Sequence, residues 1–598
     1  MKALISEGCA AEAFDLACDG LSMHKADITL EYLRALALDR GGNPRLASQY
    51  VAELLQRDLS GSLLIEALSL AGKAEKRKCQ QAGDEQSRRE AASASAIWYE
   101  RAYQLTGDYF PGINAAAMSL LAGERSLAEQ RARELLTAFA QTESGSDDFW
   151  LLATRGEAHL IVGNQSEALR WYRLAVERAA DRMGDLGSML FDLKMLGTQV
   201  SIGPEVLGLF NLGRVVAFAG HMVDKPGRVA PRFPAEDRLV ARIREAIDEA
   251  ILGLDARIGY SSVACGSDIL FAKAMIARGR ETHVVVPFAL DDFYGTSVQY
   301  GQPNAKAWRA DCDFVLANAH VHYATKEAFL NDDALWAFSN TFTQGLAISR
   351  ASELGTDANA LVLLDTNSPS LPGGTVSFVE SWGARPVQIV DLASLRDGSQ
   401  APVVVAAPSP ALPATRRQVK AMLFADVKNF SKLEEGKTDT FFSVFPHEVA
   451  SLLKTSAATE FQNTWGDGLF LVFDRVKDCA DFALRLVERM STLDFEKVGL
   501  PADTTVRVGV HAGPVFSQHD PIISRVNFFG SHVNRAARIE PVTTPGCVFA
   551  TEQFAGLLAV EGGSEFTTEY MGIKTLPKDF DRCALYRLGR RSQAGAQR

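Results

Sequence analysis

The hydrophobic period of this 598-residue chain changes twice, and those changes constrain its fold more than any single motif does. Residues 1 to about 195 are rich in Ala and Leu at helical spacing, with almost no strand signal. Residues 207–395 alternate short β-branched runs with amphipathic stretches. The segment 396–416, "RDGSQAPVVVAAPSPALPATR", then breaks both patterns with four prolines among Ala and Ser, the composition of a semi-extended linker. Residues 417–589 resume with strands, a hairpin and helices, and 590–598 form a basic tail. A chain of this length exceeds one core and is expected to divide into about three or four domains.

The first region reads as an all-α solenoid. "ASAIWYERAYQLTGDYFPGINAAAMSLLAGERSLAEQRARELL" and "DFWLLATRGEAHLIVGNQSEALRWYRLAVERA" each pair small and aromatic residues in two helices broken near a glycine. In the second, Gly163 closes one helix, and Ala168, Trp171, Tyr172 and Ala175 are expected to pack the next. One such unit cannot bury its own face, so units stack. The pattern resembles tetratricopeptide repeats. "YERAYQLTGDYFPGINAA" also resembles the TRAF-binding region of apoptosis-signal kinases. The resemblance implies a protein partner for 1–195.

The middle region reads as an α/β domain with a parallel, doubly wound sheet. "RVVAFAGHMV", "IGYSSVACGSD", "ETHVVVPF", "ALVLLD" and "PVQIVDL" supply strands, and "EDRLVARIREAIDEAILGL" supplies a helix. The turns "FAGH" and "ACGSD" would lie at the C-terminal strand ends, where such sheets bind ligands. There Gly220 and Gly266 would let backbone N–H groups approach an anion, unless Asp268 simply caps its helix. The region resembles Rossmann-like nucleotide-sensing domains, which implies a nucleotide-like ligand.

Composition narrows the function classes. A net charge of -11 argues against broad nucleic-acid binding. The best apolar run, "EVLGLFNLGRVVAFAG", is interrupted by Asn211 and Arg214 and is too short for a membrane span. Glu7 and Asp15 arrive too early for a signal peptide. The eight cysteines are scattered, with no CxxC, and read as reduced core residues. A cytoplasmic protein is expected.

The chemistry concentrates in the last region. Asp426 ends the apolar run "QVKAMLFADV", and Asp467 sits in the glycine-flanked turn "WGDG". With the first strand beside that hairpin, both carboxylates reach one sheet edge, an arrangement suited to Mg²⁺ or Mn²⁺ and phosphate oxygens. Two such ions could activate a hydroxyl and neutralise a triphosphate. Residues 427–431, leading into a helix and including Phe430 and Ser431, could offer N–H groups to phosphate. In "GSHVNRAARIE", Asn534 and Arg538 lie four apart on one helical face, where an amide can orient a sugar and a guanidinium can hold phosphoryl charge.

"FADVKNFSKL", "NTWGDGLFLVF", "VRVGVHAGPVF" and "NFFGSHVNRAARIE", in that order, resemble a class III adenylate/guanylate cyclase catalytic domain. The resemblance covers nearly all of 417–589 and implies a ferredoxin-like α+β fold. It implies two divalent cations held by Asp426, Asp467 and the Val427 carbonyl. Asn534 and Arg538 would be the transition-state pair. The family's site forms between two such domains, so one domain per chain implies a homodimer. The implied reaction is attack of a ribose 3′-OH on the α-phosphate of a nucleoside triphosphate, releasing pyrophosphate.

The base-reading positions depart from both family rules. They fall on Asn463 and Asn527, and an amide offers both a donor and an acceptor. ATP is the expected substrate, with GTP or a pyrimidine nucleotide as alternatives. The triphosphate lysine falls on Lys578 in "GIKTLPKDF", with Lys574 as second choice, and Asn429 replaces a common glycine. A non-catalytic nucleotide-binding scaffold is the competing reading, which loss of an aspartate or of the Asn/Arg pair would favour. All four residues are present.

Overall fold

The computed structural model describes residues 1–6, 10–40, 44–82, 84–139, 148–179, 182–228, 231–366, 373–396, 417–427, 430, 433–501, 504–562, 565–578 and 582–591. The linker at 397–416 and most of the basic tail lie outside them. Among the described residues no helix is long and apolar enough to cross a membrane. The described cysteines are all unbridged thiols.

Residues 1–212 form one unit, built of helices. Helices α1 (Glu85–Thr106), α2 (Tyr109–Leu121), α3 (Phe149–Ile161) and α4 (Gln165–Ala179), with the helix Arg125–Phe139 between α2 and α3, carry the two stretches read as repeats. Gly163 takes a φ of +84° where the chain turns between α3 and α4, a value that favours glycine. Ala168, Trp171, Tyr172 and Ala175 are all buried on α4, as their spacing predicts. The interior also holds ionisable groups. Glu157 and Lys76 are buried, and Lys76 Nζ lies 2.7 Å from Asp192 Oδ1 and 2.9 Å from Asn114 Oδ1.

The second unit takes in 213–568 and 574–590. Its first sheet has six strands: β1 (Arg214–Gly220), β2 (Ala256–Ser261), β3 (Glu281–Val286), β4 (His320–Tyr323), β5 (Ala358–Leu364) and β6 (Val387–Asp391). They run in the order β4-β3-β2-β1-β5-β6, and every neighbouring pair is parallel. Strand β4 was absent from the sequence reading, because "HVHY" is short, half polar and partly exposed. Among the helices, α5 (Ser267–Ala277) follows β2 and α6 (Ala334–Leu354) precedes β5.

The turns after β1 and β2 do not stand open as expected. A Cβ on Gly220 would lie 2.3 Å from Ser267 Cβ, and one on Gly266 2.8 Å from Val223 N. The protein itself fills that space. Asp268 is buried and accepts from Ala264 N–H at 3.4 Å, so it braces the turn. Burial pushes its carboxyl up to about 7.

The second sheet begins with β7 (Arg417–Val427), then helix α7 (Glu435–Lys454), the hairpin β8 (Phe461–Trp465) and β9 (Gly468–Phe473), and helix α8 (Val476–Thr492). Strand β10 (Val506–Asp520) follows, then β11 (Arg525–Phe529), helix α9 (Ser531–Ile539), β12 (Val548–Thr551) and helix α10 (Glu552–Gly562). The first four strands lie in the order β10-β7-β9-β8, the antiparallel arrangement of a β-α-β-β-α-β unit. Strand β12 adds in parallel to β10, and the C-terminal strand Arg582–Arg590 pairs with β12. Strand β10 turns back on itself in a second hairpin, with β11.

The two sheets share a core. Phe338 and Phe342 of α6, with Val285 and Ala324, belong to the same buried cluster as Leu423, Leu471, Val508 and Phe554. The α/β and cyclase-like segments, read from sequence as separate domains, are therefore packed together through α6, while the parallel sheet keeps buried clusters of its own around Phe218 and Val362.

Candidate active site

The antiparallel register of β7 with β9 sets Ala425 opposite Leu469. Asp426 therefore sits beside the tight turn that joins β8 to β9. Gly466 opens that turn with a φ of +71°. The Asp467 side chain lies against the Asp426 carboxyl and beside the Val427 N–H. Burial and the neighbouring Asp426 push Asp467 up to about 6, the signature of two carboxylates crowding one place.

Two residues that the sequence reading passed over complete this cluster. Arg507, on β10 directly across from Asp426, donates from Nη2 to Asp426 Oδ2 at 2.8 Å. Its Nε lies 2.8 Å from Glu540 Oε1. Burial pushes Glu540 up to about 7, opposed by Arg507. A charged residue within "VRVGV" was the available signal, because a strand so apolar rarely carries one without a partner.

The donor set fits Mg²⁺ or Mn²⁺. Among the described residues no group of three or more His, Cys, Asp or Glu could hold a metal ion alone. Two carboxylates plus a backbone carbonyl leave positions for phosphate oxygens and water, the usual arrangement for Mg²⁺.

Helix α9 packs on β10 and β7 and carries Asn534 and Arg538. Asn534 is exposed, and Arg538 Nη1 donates to the Asn534 carbonyl at 3.3 Å. Both named positions thus lie on one helix, as their spacing predicts.

The two asparagines at the base-reading positions are engaged within the chain. Asn463 Oδ1 accepts from Arg525 Nη2 at 3.3 Å. Asn527 donates from Nδ2 to Asp520 at 3.0 Å, and its Oδ1 accepts from Phe528 N–H at 2.8 Å. Arg525 and Asp520 are therefore the polar neighbours of these two amides, and neither was singled out in the sequence. Phe430 packs on Phe441, with ring centroids 4.6 Å apart, and belongs to the apolar layer under the turn. Ser431 and Asn429 lie outside the described residues. Lys578 is exposed in a turn at a φ of +64°, and Lys574 is on a strand and half-buried.

Comparison with known proteins agrees with this geometry. Residues 412–578 match the family model described as adenylate and guanylate cyclase catalytic domain, and 10–119 match the one described as Tetratricopeptide Repeats-Sensor. The C-terminal segment is thus similar to cyclase catalytic domains, and the helices within 10–119 to tetratricopeptide sensor repeats. A Rhizobium meliloti (strain 1021) protein named "Putative adenylate cyclase 3" is 32% identical over 139 residues, 22% of each chain. "Adenylate cyclase" of Mycosarcoma maydis is 25% identical over 150 residues, 22% of this chain and 6% of that one. The solved guanylate cyclase domain of RhGC from Catenaria anguillulae in complex with GTP is 18% identical, covering 29% of this chain and 97% of that one, at a TM-score of 0.26. The chain spans at most 22% of the length of these curated relatives.

Proposed function

We propose that the protein is a nucleotide cyclase that converts a nucleoside triphosphate, ATP by preference, to a 3′,5′-cyclic nucleotide and pyrophosphate. The observation that carries this reading is the meeting of the Asp426 and Asp467 carboxyls at one sheet edge. Asp426, Asp467 and the Val427 carbonyl would hold two divalent cations. Such ions, when bound, lower the pKa of the attacking hydroxyl and neutralise triphosphate charge. Asn534 would align the ribose so that its 3′-OH faces the α-phosphate. Arg538 would donate to the phosphoryl oxygens as charge develops there. Lys578 and backbone N–H groups near Phe430 and Ser431 would hold the remaining phosphates. Asn463 and Asn527, with Arg525 and Asp520 behind them, would read the base.

A homodimer is part of the proposal. Phe442, Trp465, Ile522, Val526 and Phe529 are all exposed apolar residues of the cyclase segment, Ile522 at 91%. A concentration of this kind favours burial against a second copy. Each site would then take its aspartates from one chain and Asn534 and Arg538 from the other. The middle segment, with its six-stranded parallel sheet, is proposed as a Rossmann-like sensory domain, and the helices as a partner-binding region, both within the cytoplasm.

The test is product analysis. Purified protein would be incubated with ATP, GTP, CTP or UTP and Mn²⁺ or Mg²⁺, beside Asp467→Ala. One cyclic nucleotide that vanishes in the variant supports the reading. No product from any of the four overturns it and leaves the scaffold.

A further inference from the structure

A cavity of about 140 Å³ lies where the parallel-sheet segment meets the cyclase segment. Its walls are Tyr323–Lys326, just after β4, His532 and Arg535 of α9, Glu552 and Gln553 of α10, and Arg582–Ala584. A single water needs roughly 10–15 Å³ of such space, and drug-sized ligands roughly 300–1,000 Å³. The size suits a small ion with several oxygens.

The lining chemistry has a sign. Lys326, Arg535 and Arg582 bring three cationic groups to one cavity, against the single carboxylate of Glu552. Glu552 Oε1 in turn lies 3.4 Å from His322 Nδ1. The positive field is felt by the wall itself: Arg535, after burial, is a further cause of the lowered proton affinity of His532. Gln553 Nε2 donates to the Tyr323 carbonyl at 3.2 Å, and its Oε1 is buried with no donor facing it. Such a buried acceptor is costly unless something donates to it. A partly protonated oxyanion satisfies both demands, with charged oxygens toward Lys326, Arg535 and Arg582 and a hydroxyl toward Gln553.

The cavity wall also reaches the helix of the proposed active site. His532 Nε2 lies 3.0 Å from Thr325 Oγ1, in the segment after β4. His532 Nδ1 lies 2.8 Å from His511 Nε2, and His511 Nδ1 lies 2.8 Å from Thr551 Oγ1. The two imidazoles stack 5.1 Å apart at 6°. A Cβ on Gly513 would stand 2.2 Å from His532 Nδ1, so the ring lies directly on β10. His532 and Arg535 are thus held on the cavity side of α9, the helix that carries Asn534 and Arg538.

We propose that this cavity is a regulatory site for a small oxyanion of hydrogen-phosphate type, and that its occupancy sets the position of Asn534 and Arg538. The regulatory half rests on the cyclase reading; the binding half does not. Bound oxyanion draws Lys326 on one segment toward Arg535 and Arg582 on the other, and α9 follows Arg535.

The experiment is calorimetric titration of the full-length protein with inorganic phosphate, beside Lys326→Ala/Arg582→Ala and Asp467→Asn. Saturable binding of one phosphate per chain, weakened at least tenfold in the double variant and retained in Asp467→Asn, is expected. Unchanged melting temperatures without phosphate check that the double variant is folded. No saturable binding, or binding indifferent to the double variant, overturns the site. Glycerol 3-phosphate in the same cell separates the sources: binding equal to that of phosphate identifies a monoester head group as the ligand, and phosphate alone identifies the free ion. Cyclase rates are then read with and without phosphate. A change of twofold or more in the parent that the double variant lacks supports regulation, and an unchanged rate in an active enzyme overturns the regulatory half. A protein that makes no cyclic nucleotide but still binds phosphate here refutes the cyclase reading and leaves the site standing.

Discussion

Gly345 of α6 crosses Gly556 of α10 so closely that a Cβ on Gly345 would lie 1.9 Å from the Gly556 carbonyl oxygen. That carbonyl is backbone and cannot rotate away, so any larger residue must push the helices apart. Gly345→Val is expected to destabilise the second unit by about 3 kcal/mol or more. Thermal unfolding of the full chain should show its transition moved down by several degrees. An unchanged transition would mean that the helices part without loss.

Asp467→Asn and Arg538→Ala should each lower cyclase turnover by roughly 100-fold or more. If each site draws residues from two chains, mixing the two dead variants restores one intact site in each mixed dimer. Random re-association then gives about a quarter of the parent rate, since half the dimers are mixed and each has one working site. Turnover at the level of the separate variants would place both residues in a site within one chain.

Glu157, buried in the helical unit, has its carboxyl pushed up to about 8 by burial and then by Asp192, against Lys76. An unfolded glutamate titrates near 4.5. Between those values the folded chain holds a proton that the unfolded chain has lost, so stability falls as pH rises through that window. Its contribution is fully present below 4.5 and is lost toward 8. Melting temperatures measured from pH 5 to 9 should decline less steeply in Glu157→Gln, by an amount of the order of a few kcal/mol. Identical slopes would show that Glu157 is ionised throughout.

Arg525 donates to Asn463, and Asp520 accepts from Asn527, so both amides are pre-set by neighbours. Arg525→Ala is expected to change the ratio of kcat/KM between ATP and GTP by roughly tenfold, with a smaller effect on the faster of the two. Parallel assays with the two nucleotides check this. A uniform fall with both would assign Arg525 to packing of the hairpin.

Much of the fold was legible in the sequence where the signal is local. The tight turn at "WGDG", a helix within "GSHVNRAARI" and the strand over "QVKAMLFADV" follow from glycine placement and short-range period, and all three are present, the helix starting at Ser531 and the strand running on to Val427. What was missed is non-local. Phe338 and Phe342 lie four apart on one helix, and nothing near them in sequence says that they face the second sheet. Gly345 likewise looks like a weak point in a helix until Gly556 is placed against it. Arg507 and Glu540 are far apart in the chain and gain meaning only through the β7–β10 register and the end of α9. Strand β4 carries too few apolar residues to announce itself.

The shared interior of the two sheets has a mechanical meaning. Segments 213–396 and 417–568 are joined through side chains such as Phe342 and Phe554 as well as by the chain. Separating them would expose apolar area at about 25 cal/mol per Å². In a pair of such chains each antiparallel sheet would carry its parallel sheet along, and a displacement of one would load the other through α6.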